Sequence, residues 1–385
     1  MARRYGTSGD ENYYSELYEN AVYIQEGVTG DYGRDKRDGD APILRNVKTG
    51  ERVFLRRMGL NPGERGAYLR RVLEPPRVEG LLWPADLIRL DNKSNAACHI
   101  FVDHEYGPVG TPFELRPGGY AVAMPVFNAD LTPGDIKFNQ IKPLRWTETP
   151  IQSIAVRLAM ILDQLNSAGY HYNDLHPSRL LFPPSGRVLL DYSHLILPRE
   201  TQSDFISSTR NRQDYKNNNN KNNNQNLRDI RDLQNFQWTD QNWAEKYPLD
   251  FADPSVTRGL VPAPDRQSQN YSFAALLFYL FFNRGPYDGG LFAGYPDDTP
   301  YNHETRMKYI LRLPIFIFDP ADESNAPGFF AEDDEMITLW SECPEVLKSL
   351  FLKALPRVRA ERREKNISRP EPLEWLAAFR SLGWK

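Results

Sequence analysis

One stretch in the middle of the chain constrains the fold more than any other. Apolar residues recur at spacings of three and four along Ile151–Ser167, which is the period of an amphipathic helix, and Gly169 ends the pattern. Two short apolar runs, Leu180–Phe182 and Val188–Leu190, then flank the turn sequence PPSG. The pattern therefore predicts a long helix followed by a small antiparallel hairpin.

Two acidic residues lie on either side of this predicted hairpin. Asp174 is in the polar loop after the helix, and Asp191 follows the second strand. A hairpin between them would bring both carboxylates to one rim of the fold. Phosphoryl transfer uses such a pair, because one carboxylate orients the attacking hydroxyl and the other holds Mg²⁺ against the phosphates.

The segment Gly169–Ser193 resembles the catalytic loop, hairpin and metal-binding triplet of protein kinases, whose pattern is H-R-D-L-x-x-x-x-N followed by D-F-G. Tyr172-Asn173-Asp174 stand in place of His-Arg-Asp, and Asp191-Tyr192-Ser193 stand in place of Asp-Phe-Gly. The resemblance implies that ATP and Mg²⁺ are cofactors, that Asp174 is the catalytic residue and that Asp191 is the metal ligand. It covers about residues 22–385 and is most specific from residue 151 onward.

Sequence further along the chain resembles the same family. Ala263-Pro264-Asp265 is similar to the A-P-E that closes the activation segment, and Tyr271–Leu277 is similar to the buried helix that follows. Arg369 stands where the family carries an arginine near the end of the domain. The resemblance therefore predicts a structural ion pair between Asp265 and Arg369.

Before residue 151 the resemblance extends to the nucleotide-binding half of the family. Thr49–Arg56 aligns with the strand that ends in V-A-I-K, and the segment Met124–Phe127 falls at the hinge between lobes. The WP and MP dipeptides at residues 83–84 and 124–125 resemble a bacterial subgroup of Ser/Thr kinase-like proteins. The resemblance implies the following cofactor-binding residues: Arg56, Arg179, Gly30, Gly33, Met124 and Phe127.

The chain departs from the family pattern at several of these positions. Arg56 replaces the phosphate-binding lysine, Arg179 replaces the metal-binding asparagine, and Gln269 replaces the aspartate that braces the catalytic loop. Arginine has no hydrogen-bond acceptor to offer a metal ion, and the positive charge of Arg179 would repel one. It would instead contact the γ-phosphate directly, as an arginine finger does.

Strands precede helices along the chain, which favours an α+β fold. The resemblance implies a bilobal protein kinase-like arrangement, with a small β-rich N-lobe over residues 21–127 and a larger helical C-lobe over residues 128–385. The C-lobe would contain a long activation segment and a disordered Asn-rich insert at 215–227, and residues 1–20 would form a flexible N-terminal arm. Further strands are predicted at 41–47, 52–58, 87–90, 98–102 and 120–124, and further helices at 271–282, 345–355 and 372–382.

Composition limits the classes of function. A chain of 385 residues is long enough for two lobes, and a net charge of only −4 argues against nucleic-acid binding driven by bulk charge. The two cysteines, Cys98 and Cys343, lie far apart, which argues against a disulfide framework and favours a reducing compartment. The sequence contains neither a secretory signal pattern nor an apolar run of about 20 residues, so we expect a cytoplasmic protein that does not bind membranes.

Three functions fit this pattern. The first is an atypical Ser/Thr protein kinase that transfers the γ-phosphate of ATP to a protein hydroxyl. The second is a pseudokinase, which would act as a binding, scaffolding or regulatory module for a protein partner. The third is a small-molecule kinase, since the D-L-H-P of residues 174–177 resembles the D-L-H-P-x-N of antibiotic and choline kinases. Asp265 and Arg369 argue against this third function, because the sequence around each of them resembles that of protein kinases.

Overall fold

The protein has an α+β fold with a curled antiparallel sheet. The computed structural model describes residues 12–15, 22–28, 42–60, 73, 75–89, 120–125, 132–133, 146–182, 187–192, 196–198, 251–257, 264–292, 314–329, 333–355 and 368–385. Among these residues, no helix is both long and apolar enough to cross a bilayer.

Six strands form the curled sheet. They are β1 (Asn12–Ser15), β2 (Val22–Val28), β3 (Pro42–Asn46), β4 (Arg52–Leu60), β5 (Asp86–Arg89) and β6 (Tyr120–Pro125). All pairings are antiparallel in the order β1-β2-β3-β4-β6-β5, and β1 also pairs with β5, which closes the sheet into a barrel. The turn between β3 and β4 reverses the chain at Gly50, whose φ of 74° is a conformation that favours glycine.

The two faces of this sheet bury different residues because side chains alternate along a strand. Leu44, Val53 and Leu55 belong to a small cluster enclosed by the barrel. Ile43 and Phe54 point the other way and belong to the main hydrophobic core, which they share with the helices. The sheet is therefore attached to the rest of the protein through its outer face.

A buried polar pair lies in the same sheet. Tyr23 of β2 donates a hydrogen bond to the Asp86 carboxylate of β5 over 2.9 Å. Burial, followed by the negative charge of Asp86, raises the pKa of the Tyr23 hydroxyl. The hydroxyl therefore stays protonated at neutral pH and remains a donor for the carboxylate.

The rest of the described structure is mainly helical. The helices are α1 (Thr149–Ser167), α2 (Pro254–Thr257), α3 (Arg266–Phe282), α4 (Asp333–Glu342), α5 (Glu345–Ala354) and α6 (Pro372–Ser381). Short strands accompany them: β7 (Thr132–Pro133), β8 (Tyr170–Tyr172), β9 (Leu180–Phe182), β10 (Leu189–Leu190) and β11 (Ile196–Pro198). Helix α3 is almost wholly buried, and α6 packs against α1.

Most of the elements predicted from the sequence are confirmed. Helix α1 begins two residues before the predicted Ile151, and β9 and β10 form the predicted antiparallel hairpin. Strands β3 to β6 also match predicted segments, as do α5 and α6. Helix α3 begins earlier than predicted, at Arg266, because the Asp265 carboxylate caps it by accepting hydrogen bonds from the backbone N–H groups of Gln267 and Ser268.

Other parts of the prediction need correction. Residues 12–15 lie within the predicted flexible arm, yet they form β1 and pair with two neighbouring strands. Helices α2 and α4 were not predicted at all. The Asn-rich insert at 215–227 and the predicted strand at 98–102 lie outside the described residues.

Candidate functional site

The carboxylate of Asp174 is held in an ion pair. Asp174 follows β8, and its side chain is completely buried. One carboxylate oxygen lies 2.6 Å from Nη2 of Arg179, and the other lies 3.3 Å from Nε2 of His176. Arg179 ends the 3₁₀ turn Pro177–Arg179, so a short local loop closes both contacts. The 2.6 Å contact with the Arg179 guanidinium has the length of a charge-assisted hydrogen bond, which holds the carboxylate in one orientation.

The second acid, Asp191, directly follows β10 and is also buried. Its backbone N–H donates to the carbonyl oxygen of Arg179 over 2.8 Å, and its own carbonyl accepts a 2.6 Å hydrogen bond from the Tyr172 hydroxyl. The Asp191 carboxylate accepts from the N–H of Tyr192 at 3.0 Å. Three local contacts therefore fix the position of this residue.

The hairpin places each of the two acids next to Arg179. In the register of β9 and β10, Leu190 lies opposite Leu180, so the hydrogen bond between Asp191 and Arg179 continues the ladder by one residue. Residues opposite one another in an antiparallel pair project from the same face. Arg179 thus contacts Asp174 with its side chain and lies beside Asp191 through its backbone.

Helix α3 holds the chain directly before Asp174 through hydrogen bonds of Gln269. The side-chain oxygen of Gln269 accepts a 2.7 Å hydrogen bond from the backbone N–H of Tyr172, and its side-chain nitrogen donates to Asn166 over 2.9 Å. Gln269 is fully buried. The resemblance implies an aspartate at this position. The neutral amide of Gln269 makes the contact with the loop instead.

Replacing Gln269 by leucine is expected to lower the free energy of unfolding by about 1–3 kcal/mol, because the buried N–H of Tyr172 would lose its acceptor. Native-state hydrogen exchange should also accelerate at the Tyr172 amide. Gln164 is a matched control, since its side-chain oxygen accepts from the backbone N–H of Glu79 at an exposed site, where water can replace it. Equal losses in Gln269→Leu and Gln164→Leu would contradict the bracing role.

The chain before β5 also fixes the second acid. Leu82 donates from its backbone N–H to the carbonyl oxygen of Leu190 over 2.8 Å, and Leu190 donates to that of Gly80 over 2.7 Å. Gly80 has φ 94° and lies against α1, where a Cβ atom would come within 2.9 Å of the Ile161 side chain. This segment therefore binds the edge of β10 directly before Asp191.

An aromatic contact continues this attachment. The ring of Trp83 meets the ring of Tyr192 edge to face, with centroids 5.1 Å apart, and meets Tyr170 in the same manner at 5.7 Å. Tyr192 is buried. The Trp83 ring therefore connects the segment before β5 to Tyr170, which precedes Asp174, and to Tyr192, which follows Asp191.

The predicted ion pair between Asp265 and Arg369 is wrong. The buried Arg369 guanidinium instead binds Asp253, with 2.7 and 3.1 Å between the paired nitrogen and oxygen atoms. It also donates to the carbonyl oxygen of Gln267 and lies over the ring of Tyr271, 5.1 Å from the centroid. Asp265 instead caps α3 by accepting hydrogen bonds from the N–H groups of Gln267 and Ser268.

The remaining predicted cofactor-binding residues are only partly placed. Met124 lies within β6 rather than in a connecting segment, and its side chain is fully buried in the main core. The backbone of Arg56 lies in β4 opposite Val122. Gly30, Gly33, Phe127 and the side chain of Arg56 lie outside the described residues.

Some residues of the site were assigned no role by the sequence analysis. The Tyr172 hydroxyl and the Trp83 ring both bind the Asp191 segment, and Asp253 is the true partner of Arg369. Local signals for these roles are weak, because each partner lies far away along the chain. Tyr172 is the exception, because it lies directly before the loop of Asp174. That position indicates that Tyr172 could also contact Asp191.

The described side chains limit how a metal ion could be held at this site. Within the described ranges, no group of three or more His, Cys, Asp or Glu side chains could hold a metal ion by itself. Mg²⁺ is usually bound by one or two carboxylates together with the phosphates of its substrate, and Asp191 supplies such a carboxylate. Asp174 is committed to Arg179 and His176, and Arg179 has no oxygen to offer.

No family model matches the chain, and no curated protein matches it either.

Proposed function

We propose that this protein is an atypical Ser/Thr protein kinase-like phosphotransferase, with a bilobal fold, that binds ATP with Mg²⁺ and transfers the γ-phosphate to a protein hydroxyl. The observation that carries the proposal is the arrangement of Asp174 and Asp191 around Arg179. Two buried carboxylates with a cation between their loops support the proposal that a phosphorylated ligand and its metal bind here.

Each residue has a separate part in the proposed reaction. Asp191 would hold Mg²⁺, which supplies charge neutralisation at the phosphates. Asp174 would orient the attacking hydroxyl and accept its proton, which requires the carboxylate to release one of its present contacts. Arg179, whose side chain is 24% exposed, would bind phosphate oxygen. The fixed positions of the two acids limit the reorganisation that the reaction would require.

A second function, that of a nucleotide-binding pseudokinase, is favoured by a specific observation. The Asp174 side chain has no exposed surface, and both of its oxygens lie close to nitrogen atoms of Arg179 and His176. A carboxylate that stays fully buried cannot meet a substrate hydroxyl and receive its proton. The protein would then bind nucleotide and a protein partner without transferring phosphate.

The first test measures ligand binding through thermal stability. We expect ATP with Mg²⁺ to stabilise the protein by about 2.7 kcal/mol at a hundredfold excess over Kd. Asp191→Asn should abolish the part of this shift that depends on Mg²⁺, because the amide is a weaker metal ligand. Asp334→Asn is the matched control, since Asp334 is exposed on α4 and far from the site in sequence.

The second test separates the two functions. With radiolabelled ATP, label transfer that is lost in Asp174→Asn supports the phosphotransferase. A nucleotide-dependent shift without any label transfer supports the pseudokinase. If no nucleotide shifts the melting temperature under any metal condition, both proposals fail.

A further inference from the structure

The fold holds an exposed aromatic side chain in a fixed position at the start of α4. Phe329 is 68% exposed, yet its backbone N–H donates to the buried carboxylate of Asp333 over 2.9 Å, and that of Gly328 donates to the same oxygen over 2.7 Å. Arg284 forms an ion pair with this carboxylate. The ring itself lies against Gly290, where an added Cβ atom would collide with it. Binding of a partner to this ring would therefore cost little conformational entropy.

The 3₁₀ turn that carries Glu323 is held against the same glycine. The N–H of Gly290 donates to the carbonyl oxygen of Ala326 over 3.0 Å, and the N–H of Ala326 donates to that of Glu323 over 3.0 Å. The buried side chain of Asn325 fixes the turn further, because it donates to two backbone carbonyl groups over 2.8 and 2.9 Å. The Glu323 turn and the Phe329 ring thus share one support.

The chain on both sides of this ring is strongly acidic. From residue 313 to residue 347 the sequence contains nine Asp and Glu residues and no Lys, Arg or His. Glu323 and Asp334, which lie before and after Phe329 in the chain, are both exposed. Ile337 is 38% exposed and lies three residues after Asp334, so the two side chains are neighbours on the solvent side of α4. An acidic–aromatic surface results, which consists of Glu323, Phe329, Asp334 and Ile337.

We propose that the acidic–aromatic surface binds a short segment of a protein partner in which Lys or Arg residues flank a large apolar side chain. The negative charge attracts a basic segment and repels a nucleic acid or an anionic membrane. The apolar side chain of the partner would cover the Phe329 ring, because aromatic anchors contribute much of the binding free energy at protein interfaces. None of the four residues takes part in the proposed phosphotransfer, so either proposal can fail without the other.

Peptide selection tests the chemistry of this partner. A random peptide library displayed on phage is selected against the full-length protein, and we expect the enriched sequences to combine net positive charge with a large apolar residue. A fluorescent peptide of the enriched consensus is then titrated with the protein, and fluorescence anisotropy measures its Kd. Phe329→Ser should raise this Kd at least about tenfold, because the apolar residue of the peptide loses its contact. Raising the salt concentration from about 0.1 M to about 1 M should also raise it, since the Debye length falls from about 10 Å to about 3 Å.

Leu373→Ser is the matched control, because Leu373 is 56% exposed on α6 and does not belong to the acidic–aromatic surface. It should leave the Kd unchanged, and melting temperatures establish that both variants are folded. The combined variant Glu323→Gln with Asp334→Asn should weaken both the binding and its dependence on salt.

Three results of the selection would overturn the proposal: no enrichment, enriched peptides without basic residues, or equal Kd values for the wild-type protein and Phe329→Ser. Sedimentation velocity adds a further check on the occupant. Self-association of the wild-type protein that Phe329→Ser abolishes would also overturn the proposal, because the surface would then bind a second copy of this chain.

Discussion

Replacing Arg369 by leucine is expected to lower the free energy of unfolding by about 3–5 kcal/mol, because the Asp253 carboxylate would remain buried without its partner. The side chains of this pair are only 3% and 2% exposed, so water cannot compensate for the loss. For a folded region of about 150–250 residues, a loss of this magnitude should lower the melting temperature by roughly 6–20 °C. Chemical and thermal denaturation followed by circular dichroism measure both quantities.

The ion pair between Arg266 and Glu371 provides the control. It lies near the same end of α3, but its side chains are 38% and 36% exposed. Arg266→Leu should therefore change stability by about 0–1 kcal/mol. The double variant Arg369→Leu with Asp253→Leu should recover only part of the loss, because an apolar pair leaves no buried charge but the buried N–H of Ser255 loses its acceptor on Asp253. A loss as large in Arg266→Leu as in Arg369→Leu would contradict the argument.

The ion pair between Asp253 and Arg369 could not be predicted from the sequence. The residues around Asp265 resemble a known motif and so predict Asp265 as the partner, but its carboxylate acts as the N-cap of α3. Asp253 also directly precedes a helix, and its carboxylate accepts a hydrogen bond from the N–H of Ser255, so no local pattern distinguishes it as the partner of Arg369. It lies 116 residues from Arg369, and a contact over that separation is set by the packing of α2, α3 and the final segment.

The parts that were predicted correctly depend on short-range patterns. The three- and four-residue spacing of Leu158, Ile161 and Leu165 is sufficient to define α1, and the PPSG turn is sufficient to define the hairpin. Both acids could be placed because they flank these local elements. Helix α4 was missed although Asp333 and the two acidic residues after it are favourable in a first helical turn.

The departures from the family pattern could be seen in the sequence, but their geometry could not. Arginine at position 179 predicts a cation near phosphate, and the structure adds that this cation binds Asp174 directly. Glutamine at position 269 predicts the loss of a charge, whereas the structure retains the hydrogen bond to the loop. Side-chain partners depend on distances that periodicity and motif spacing do not encode.

Replacing Phe351 by alanine is expected to destabilise the protein by about 3–5 kcal/mol, which is typical for removal of a fully buried aromatic ring. The ring lies in α5 with no exposed surface, and its centroid is 4.9 Å from that of Trp375 and 5.5 Å from that of Phe278. It therefore joins α5 to α6 and to α3. Urea denaturation measures the change in the free energy of unfolding.

Phe329 is the matched control, because the same substitution there removes a ring that is 68% exposed and should change stability by no more than about 0.5 kcal/mol. The comparison also bears on the site, since Phe278 and Gln269 lie on the same helix. If α3 transmits the damage, hydrogen exchange at the Tyr172 amide should accelerate in Phe351→Ala and stay unchanged in Phe329→Ala. Acceleration confined to α5 would instead show that Gln269 holds the acidic loop independently of the aromatic core.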